Sequence, residues 1–311
     1  MSKIPVIIDV DTGIDDAMAL VLALQSDKLD IRGITTVAGN QTIEKTTRNT
    51  LDVVEYFGRI EIPVAMGAKQ PLIRPQVLAA YAHGESGLGT AVLPKAKKQT
   101  EELDAVSFIK KVLEESDEQV TLVPTGPLTN IAILLKAYPH IKNRIKEIVL
   151  MGGGAFVGNY NAAAEFNIFV DPEAAQIVFN SGVKLVMCGL DVTLKAIVTP
   201  EDINTIRAIG NKASDFIAEA VEFYMDMYKK STVFTGCAIH DAVTITYLIA
   251  PELIKTRQGI ASIDIDGKES YAATICDFRP WRNKEKDNAL VCVDIDREAF
   301  VNLLVDACKN Y

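Results

Sequence analysis

Short apolar runs alternate along the chain with longer stretches in which apolar residues recur every three or four positions. Residues 5–10 are a short apolar run bounded by Pro and Asp, the pattern of a buried strand. Residues 15–24 then take helical spacing, 31–37 read as strand and 42–56 as helix. The alternation continues with strand 63–66, helix 105–113, strand 120–123, helix 130–137, strand 148–151, helix 172–179 and strand 183–188. Such alternation predicts a Rossmann-like α/β architecture, a mostly parallel sheet flanked by helices on both faces.

The last third follows a different pattern. Residues 200–209, 213–228 and 241–248 have helical spacing. Residues 261–265, 271–276 and 289–293 read as short strands, a small antiparallel C-terminal addition, and 297–307 as a closing helix. No linker, repeat or low-complexity tract interrupts the chain, so residues 1–311 read as a single domain. Residues 67–100 show little regular pattern, and long loops in compact domains are usually functional or mobile.

Five strand ends carry polar or glycine residues. They are Asp9-Val-Asp11-Thr-Gly, Ala38-Gly39-Asn40, Pro124-Thr125-Gly126, Gly152-Gly153-Gly154 and Gly189-Leu-Asp191. Each alone is ordinary turn chemistry. Together they point to one site, because parallel sheets bind ligands at the carboxyl ends of their strands.

Asp9, Asp11, Asp15 and Asp16 fall within eight residues at a strand end and a helix start. Helix capping accounts for one or two of them. Four carboxylates this close repel one another unless a cation lies among them, and Ca²⁺ or Mg²⁺ suits all-oxygen ligands. An EF-hand fails, since its sixth and twelfth positions counted from Asp9 hold Ile14 and Leu20 rather than Gly and Glu. The D-x-D-x-T start of haloacid-dehalogenase-like phosphatases matches Asp9-Val-Asp11-Thr, but departs at Asp15-Asp16 and has no later partner motif here.

Composition narrows the ligand. The net charge is −9 and the pI about 5.0, with no basic tract, which argues against nucleic acid or an anionic membrane as partner. Hydrophobic residues make up 49% and charged residues 23% of the chain, as in ordinary globular proteins. No apolar run reaches the length of a membrane span, and the first residues lack a signal-peptide layout. Five widely spaced cysteines read as reduced thiols, so a cytoplasmic protein is expected.

The stretch from Asp9 to Ala17 resembles the signature of the inosine/uridine-type nucleoside hydrolases. The likeness continues through Val37–Asn40, His83-Gly-Glu-Ser-Gly-Leu88-Gly, Pro124–Asn130, Met151–Gly154, Gly158-Asn159, Ala164-Glu165-Phe166-Asn167 and His240-Asp241, covering about residues 5–245. The resemblance implies a ribonucleoside N-ribohydrolase that splits inosine, uridine or a related nucleoside into free base and ribose. It implies Ca²⁺ held by Asp11, Asp16, Asp241 and the Thr125 carbonyl, with a bound water activated there. Asp11 would be the general base, and Asp9 would brace the ligands. Asp15, Asn40, Asn159, Glu165 and Asn167 would bind ribose hydroxyls, with Phe166 in the same segment. A ring of carboxylates suits the positive charge of an oxocarbenium-like transition state. The family also implies a homodimer or homotetramer.

His240 is the candidate leaving-group acid, since an unperturbed histidine titrates near 6.5. A lone histidine is more often structural, but adjacency to Asp241 favours the functional role. His83 either touches the base or closes its loop. Tyr224 and Tyr228, one helical turn apart, are either an aromatic wall for the base or core packing. Asn161-Ala162 stands where many relatives have Thr-Pro, which bears on 5′-hydroxyl recognition. Three rivals remain: a metal-dependent phosphatase, a nucleoside phosphorylase needing a phosphate site, and a non-catalytic nucleoside- or sugar-binding protein.

Overall fold

A computed structural model describes residues 3–231 and 235–311. Eleven strands occur in the described residues: β1 (Ile4–Val10), β2 (Leu29–Thr36), β3 (Val64–Met66), β4 (Val120–Pro124), β5 (Ile145–Met151), β6 (Leu185–Cys188), β7 (Ile197–Val198), β8 (Cys237–Ala238), β9 (Ile254–Ile263), β10 (Thr274–Asp277) and β11 (Ala289–Ile295). Nine form one sheet in the order β10-β9-β11-β6-β5-β4-β1-β2-β3, and β7 and β8 make a separate ribbon.

From β3 to β11 the neighbouring strands are parallel, with helical crossovers between them. β1 lies between β2 and β4, where the chain reverses its direction of travel across the sheet. That topological switch point opens a crevice at the carboxyl ends. β1 is buried on both faces: Val6, Ile8 and Val10 enter one core and Ile7 the other. The helix Ile14–Gln25 is buried from Ile14 to Leu24. Its two first-turn carboxylates therefore sit inside the protein rather than on a solvated face.

The expected antiparallel addition exists, but it begins earlier and is more mixed than the pattern implies. β9 starts at Ile254, because its first half, Lys255-Thr256-Arg257-Gln258, is exposed on both sides and lacks apolar alternation. β11 is antiparallel to β9 yet parallel to β6, so it joins the two parts of the sheet. β10 begins only at Thr274, since Ala272 has a positive φ of 65° that ends any extended run. The long stretch after β3 holds a single helical turn, Ala80–His83, with His83 buried. Among the described residues no helix is long and apolar enough to cross a membrane.

Candidate active site

The carboxyl ends of β1, β2, β4 and β5 converge. Asp11 follows β1, and its Oδ2 accepts from the backbone N–H of Asn40, beyond β2, at 2.7 Å. Its Oδ1 is buried without a hydrogen-bond partner. The fit is close enough to require glycine next to it: a Cβ on Gly39 would stand 2.2 Å from Asp11 Oδ2.

Asp16 combines the two roles weighed for this cluster. Its Oδ2 accepts from Gly13 N–H at 2.9 Å, which caps the helix start, and from Asn40 Nδ2 at 3.1 Å. Its Oδ1 accepts from Thr125 Oγ1 at 2.7 Å. Carboxylate oxygens of Asp15, Asp16 and Asp241 all lie within 4.8 Å of one another. Asp15, which the resemblance assigns to ribose, thus lies in the cluster, and Asp11 is not one of the three. Asp15 Oδ1 is also buried and unpartnered.

Burial raises all these acids, and repulsion adds to it at Asp11, Asp15 and Asp241. Asp15 is pushed up to about 8, first by burial and then by Asp16. Asp11 and Asp241 are held well above the usual carboxylate range by burial, with Asp16 and Asp15 respectively adding repulsion. Unpaired buried carboxylate oxygens are a fitting donor set for a hard divalent cation.

The Asp9 carboxylate, expected to brace the metal ligands, is hydrogen-bonded to Thr35 and Asn130 instead of to any of them. Its Oδ1 accepts from Thr35 Oγ1 at 2.5 Å and from Asn130 Nδ2 at 2.8 Å. Asn130 also reaches Thr36 O and the Ala68 N–H, tying three segments together. Asn130 closes the Pro124–Asn130 motif, yet nothing local to that motif reveals what it holds.

A cavity of about 560 Å³ opens above the cluster, with Asp15, Asp241, Asn40, His83, Tyr228 and His240 in its wall. Thr125, Asn159, Glu165, Phe166, Asn167 and Tyr224 also line it. Asp11 and Asp16 do not, being 1% and 0% exposed. Much of the polar capacity expected for ribose is engaged within the protein. Glu165 caps the helix Phe166–Val170, accepting from the N–H groups of Asn167 and Ile168 as well as Gly153. Asn167 Nδ2 donates to the Thr125 carbonyl at 2.7 Å, and Asn159 Oδ1 accepts from Phe166 N–H at 2.9 Å. Asn161 Oδ1 takes the Ala163 and Ala164 N–H groups, a side-chain turn in place of a proline-stiffened one.

His240 stands between two hydroxyls, with Tyr228 Oη 2.7 Å from Nε2 and Thr193 Oγ1 2.7 Å from Nδ1. Burial lowers it to about 4. His83 has a different environment. Its Nδ1 accepts the Ile14 N–H at 3.1 Å, so it secures the start of the Ile14–Gln25 helix while facing the cavity. Tyr224 and Tyr228 meet edge-on at 5.1 Å, Tyr224 lies 5.3 Å from His83, and both line the cavity while packing on the core. Thr193 was not evident in the sequence. Its only signal is its place just after the Gly189-Leu-Asp191 strand end.

Comparisons with known proteins point to one family. The family model for inosine-uridine preferring nucleoside hydrolases matches residues 6–302. The chain is 46% identical over 309 residues, 99% of both sequences, to the pyrimidine-specific ribonucleoside hydrolase RihA of Escherichia coli O1:K1. Its structure resembles that of a purine-preferring ribonucleoside hydrolase from Gardnerella vaginalis with TM-score 0.92 and 34% identity, over 98% of each chain. A plant nucleoside hydrolase matches with TM-score 0.92 and 30% identity, again over 98% of each.

Proposed function

The chain belongs to the inosine-uridine preferring nucleoside hydrolase family and hydrolyses ribonucleosides to base and ribose, and from that premise we propose how its residues divide the work. Asp11, Asp15, Asp16 and Asp241, with the Thr125 carbonyl, are the groups that would hold a Ca²⁺ ion. That ion would supply Lewis-acid activation of the attacking water and an anchor for the ribose hydroxyls. The supporting observation is the pair of buried, unpartnered oxygens, Asp11 Oδ1 and Asp15 Oδ1, the second of them on a residue that lines the cavity of about 560 Å³. Left without a cation, such a cluster is costly to bury.

Asp11 Oδ1 accepts the proton of the attacking water. Asn40 holds the other oxygen of Asp11, so that Oδ1 keeps one orientation. Asp15 and Asn40 receive ribose hydroxyls from the cavity side. Glu165, Asn167 and Asn159 act on ribose largely by shaping its wall, since most of their hydrogen bonds run to the backbone. The carboxylates stabilise the positive charge that develops on the sugar as the C–N bond breaks. Water attacks from the face opposite the base, and the anomeric centre inverts.

The bonding pair of the broken C–N bond passes to the base, which needs a proton. His240 and Tyr228 form the acid. Burial keeps His240 mostly neutral, so the reacting form is the minority protonated one: it gives its Nε2 proton to Tyr228 Oη as Tyr228 gives its own to the base, and His240 ends neutral. His83 and Tyr224 complete the base-side wall.

The relative at 46% identity acts on pyrimidine nucleosides, and we assign uridine-type substrates first on that ground. The family model's reach over residues 6–302 supports treating the chain as one hydrolase domain. We also read it as a cytoplasmic homodimer or homotetramer. Light scattering of the purified protein tests the assembly, and a monomeric mass at working concentration rejects it.

A panel of ribonucleosides assayed for released reducing sugar, with and without chelator and with phosphate omitted, tests the function. Free ribose from uridine, lost on chelation and indifferent to phosphate, is expected. A phosphate requirement means a phosphorylase, and release of phosphate from monophosphates without ribose means a phosphatase. Binding without turnover means a non-catalytic protein.

A further inference from the structure

The acid pair raises a positional question: what holds the His240 ring so that Nε2, rather than Nδ1, faces Tyr228 and the cavity? An imidazole can pass a proton out through Nε2 only if Nδ1 keeps its own, and the ring's tautomer follows from the hydrogen bond at the other nitrogen. At Nδ1 that partner is Thr193 Oγ1, 2.7 Å away and wholly buried.

Two features bring Thr193 there. The short helix Leu190–Thr193 is fastened to the glycine turn after β5, with Leu190 N–H donating to Gly153 O at 2.8 Å and Ala155 N–H to Asp191 Oδ2 at 2.7 Å. The chain then runs into β7, which pairs antiparallel with β8, Ile197 opposite Ala238 and Val198 opposite Cys237. Ile239 N–H donates to Ala196 O at 3.1 Å and extends that pairing. The ribbon therefore carries Thr193 alongside His240 from 47 residues away. The next residue, Leu194, lines the cavity, so the segment reaches the site without Thr193 itself touching substrate.

We propose that Thr193 is a positioning residue for the leaving-group acid: its hydroxyl oxygen accepts Nδ1–H of His240 and so commits Nε2 to Tyr228. This rests on the acid role of His240 assigned above. The β7–β8 ribbon, peripheral to the main sheet, then has a catalytic consequence, because it sets the spacing between the two residues.

The test compares Thr193→Val, which keeps the shape and removes the hydroxyl, with Thr193→Ser, which keeps the hydroxyl. Both are assayed on uridine and on a nitrophenyl riboside, whose leaving group departs as an anion. Thr193→Val should lower kcat on uridine roughly 10- to 100-fold, part of the about 10²–10⁴-fold that a positioned acid contributes. KM and the nitrophenyl riboside rate should stay within about twofold, and Thr193→Ser should recover most of the loss. In ¹⁵N spectra of the three histidines, His240 should show a protonated Nδ1 in the parent and a changed Nδ1/Nε2 pattern in Thr193→Val. Equal loss on both substrates, or an unchanged His240 spectrum, overturns the proposal. His240→Ala is run in parallel. If it spares neither substrate more than the other, the acid role fails and Thr193 falls with it. If it discriminates between substrates and Thr193→Val does not, only the Thr193 assignment fails.

Discussion

Asp11 and Asn40, 29 residues apart, are joined by a 2.7 Å hydrogen bond from the Asn40 backbone to Asp11 Oδ2, while Asp11 Oδ1 has no partner. One oxygen is a fixed handle and the other is available for chemistry. Asp11→Asn preserves the shape but removes the basic oxygen, so kcat on uridine should fall about 10²–10⁴-fold. An Asp11→Asn protein hydrolysing uridine at the parent rate would falsify the assignment of the base.

The glycine beside that handle makes a separate prediction. A Cβ on Gly39 would press within 2.2 Å of Asp11 Oδ2, whereas Gly58, with φ +76°, has nothing within 4 Å of its Cβ position. Gly39→Ala should therefore depress kcat strongly in a folded protein. Gly58→Ala should cost about 1 kcal/mol of stability through its left-handed backbone and leave kcat unchanged. Thermal melts and steady-state kinetics on the two variants check this, and equal effects of both on kcat would count against the Asp11 cradle.

The carboxylate cluster ties stability to metal and pH. Asp15 binds its proton up to about 8 in the folded metal-free protein, against 3.8 ordinarily. Stability from a raised carboxylate is full below its unfolded pKa and is lost as pH rises through the folded value. Metal-free protein should thus melt lower at pH 8.5 than at pH 6.5. Calcium, favouring the ionised acids, should raise the melting temperature more at pH 8.5; at a hundredfold excess over Kd a ligand adds about 2.7 kcal/mol. A calcium effect that shrinks from pH 6.5 to 8.5 would contradict the cluster as the binding site.

His83 and His240 oppose this at lower pH. Burial holds them to about 3 and about 4, below their ordinary 6.5. Protonation then favours the unfolded chain, so both take stability away as pH falls from 6.5 toward 4. Substituting Gln for His83 should flatten the acid side of the melting curve while the Ile14 N–H keeps an acceptor. An acid limb as steep as the parent's would show that other groups dominate it.

Substrate discrimination follows from the buried ribose side. Without its 2′-hydroxyl, a deoxynucleoside leaves polar groups near Asp15 unpaired, a cost of about 1–3 kcal/mol or roughly 10- to 100-fold in kcat/KM. A 5′-monophosphate adds negative charge to a cavity already walled by Glu165, Asp15 and Asp241 and should be slower still. Equal kcat/KM for uridine and its 5′-monophosphate would exclude this arrangement.

Features set by neighbours along the chain are legible in residue order alone. Apolar runs and helical spacing located β1, β2, β4, β5 and the helices between them to within a few residues, because each buries a face its own period defines. The crowding of Asp9, Asp11, Asp15 and Asp16 was visible because a strand end and a helix start lie within eight residues. Which atoms meet depends on how distant segments pack. Nothing near residue 83 says that its Nδ1 takes an N–H from Ile14, 69 residues away. The two-residue strands β7 and β8 have no period to detect, yet their pairing puts Thr193 against His240. β11 reads locally as any short strand, and only its neighbours make it parallel on one side and antiparallel on the other. Period and composition are properties of consecutive residues, whereas hydrogen-bond partners across a sheet are set by the order in which strands assemble.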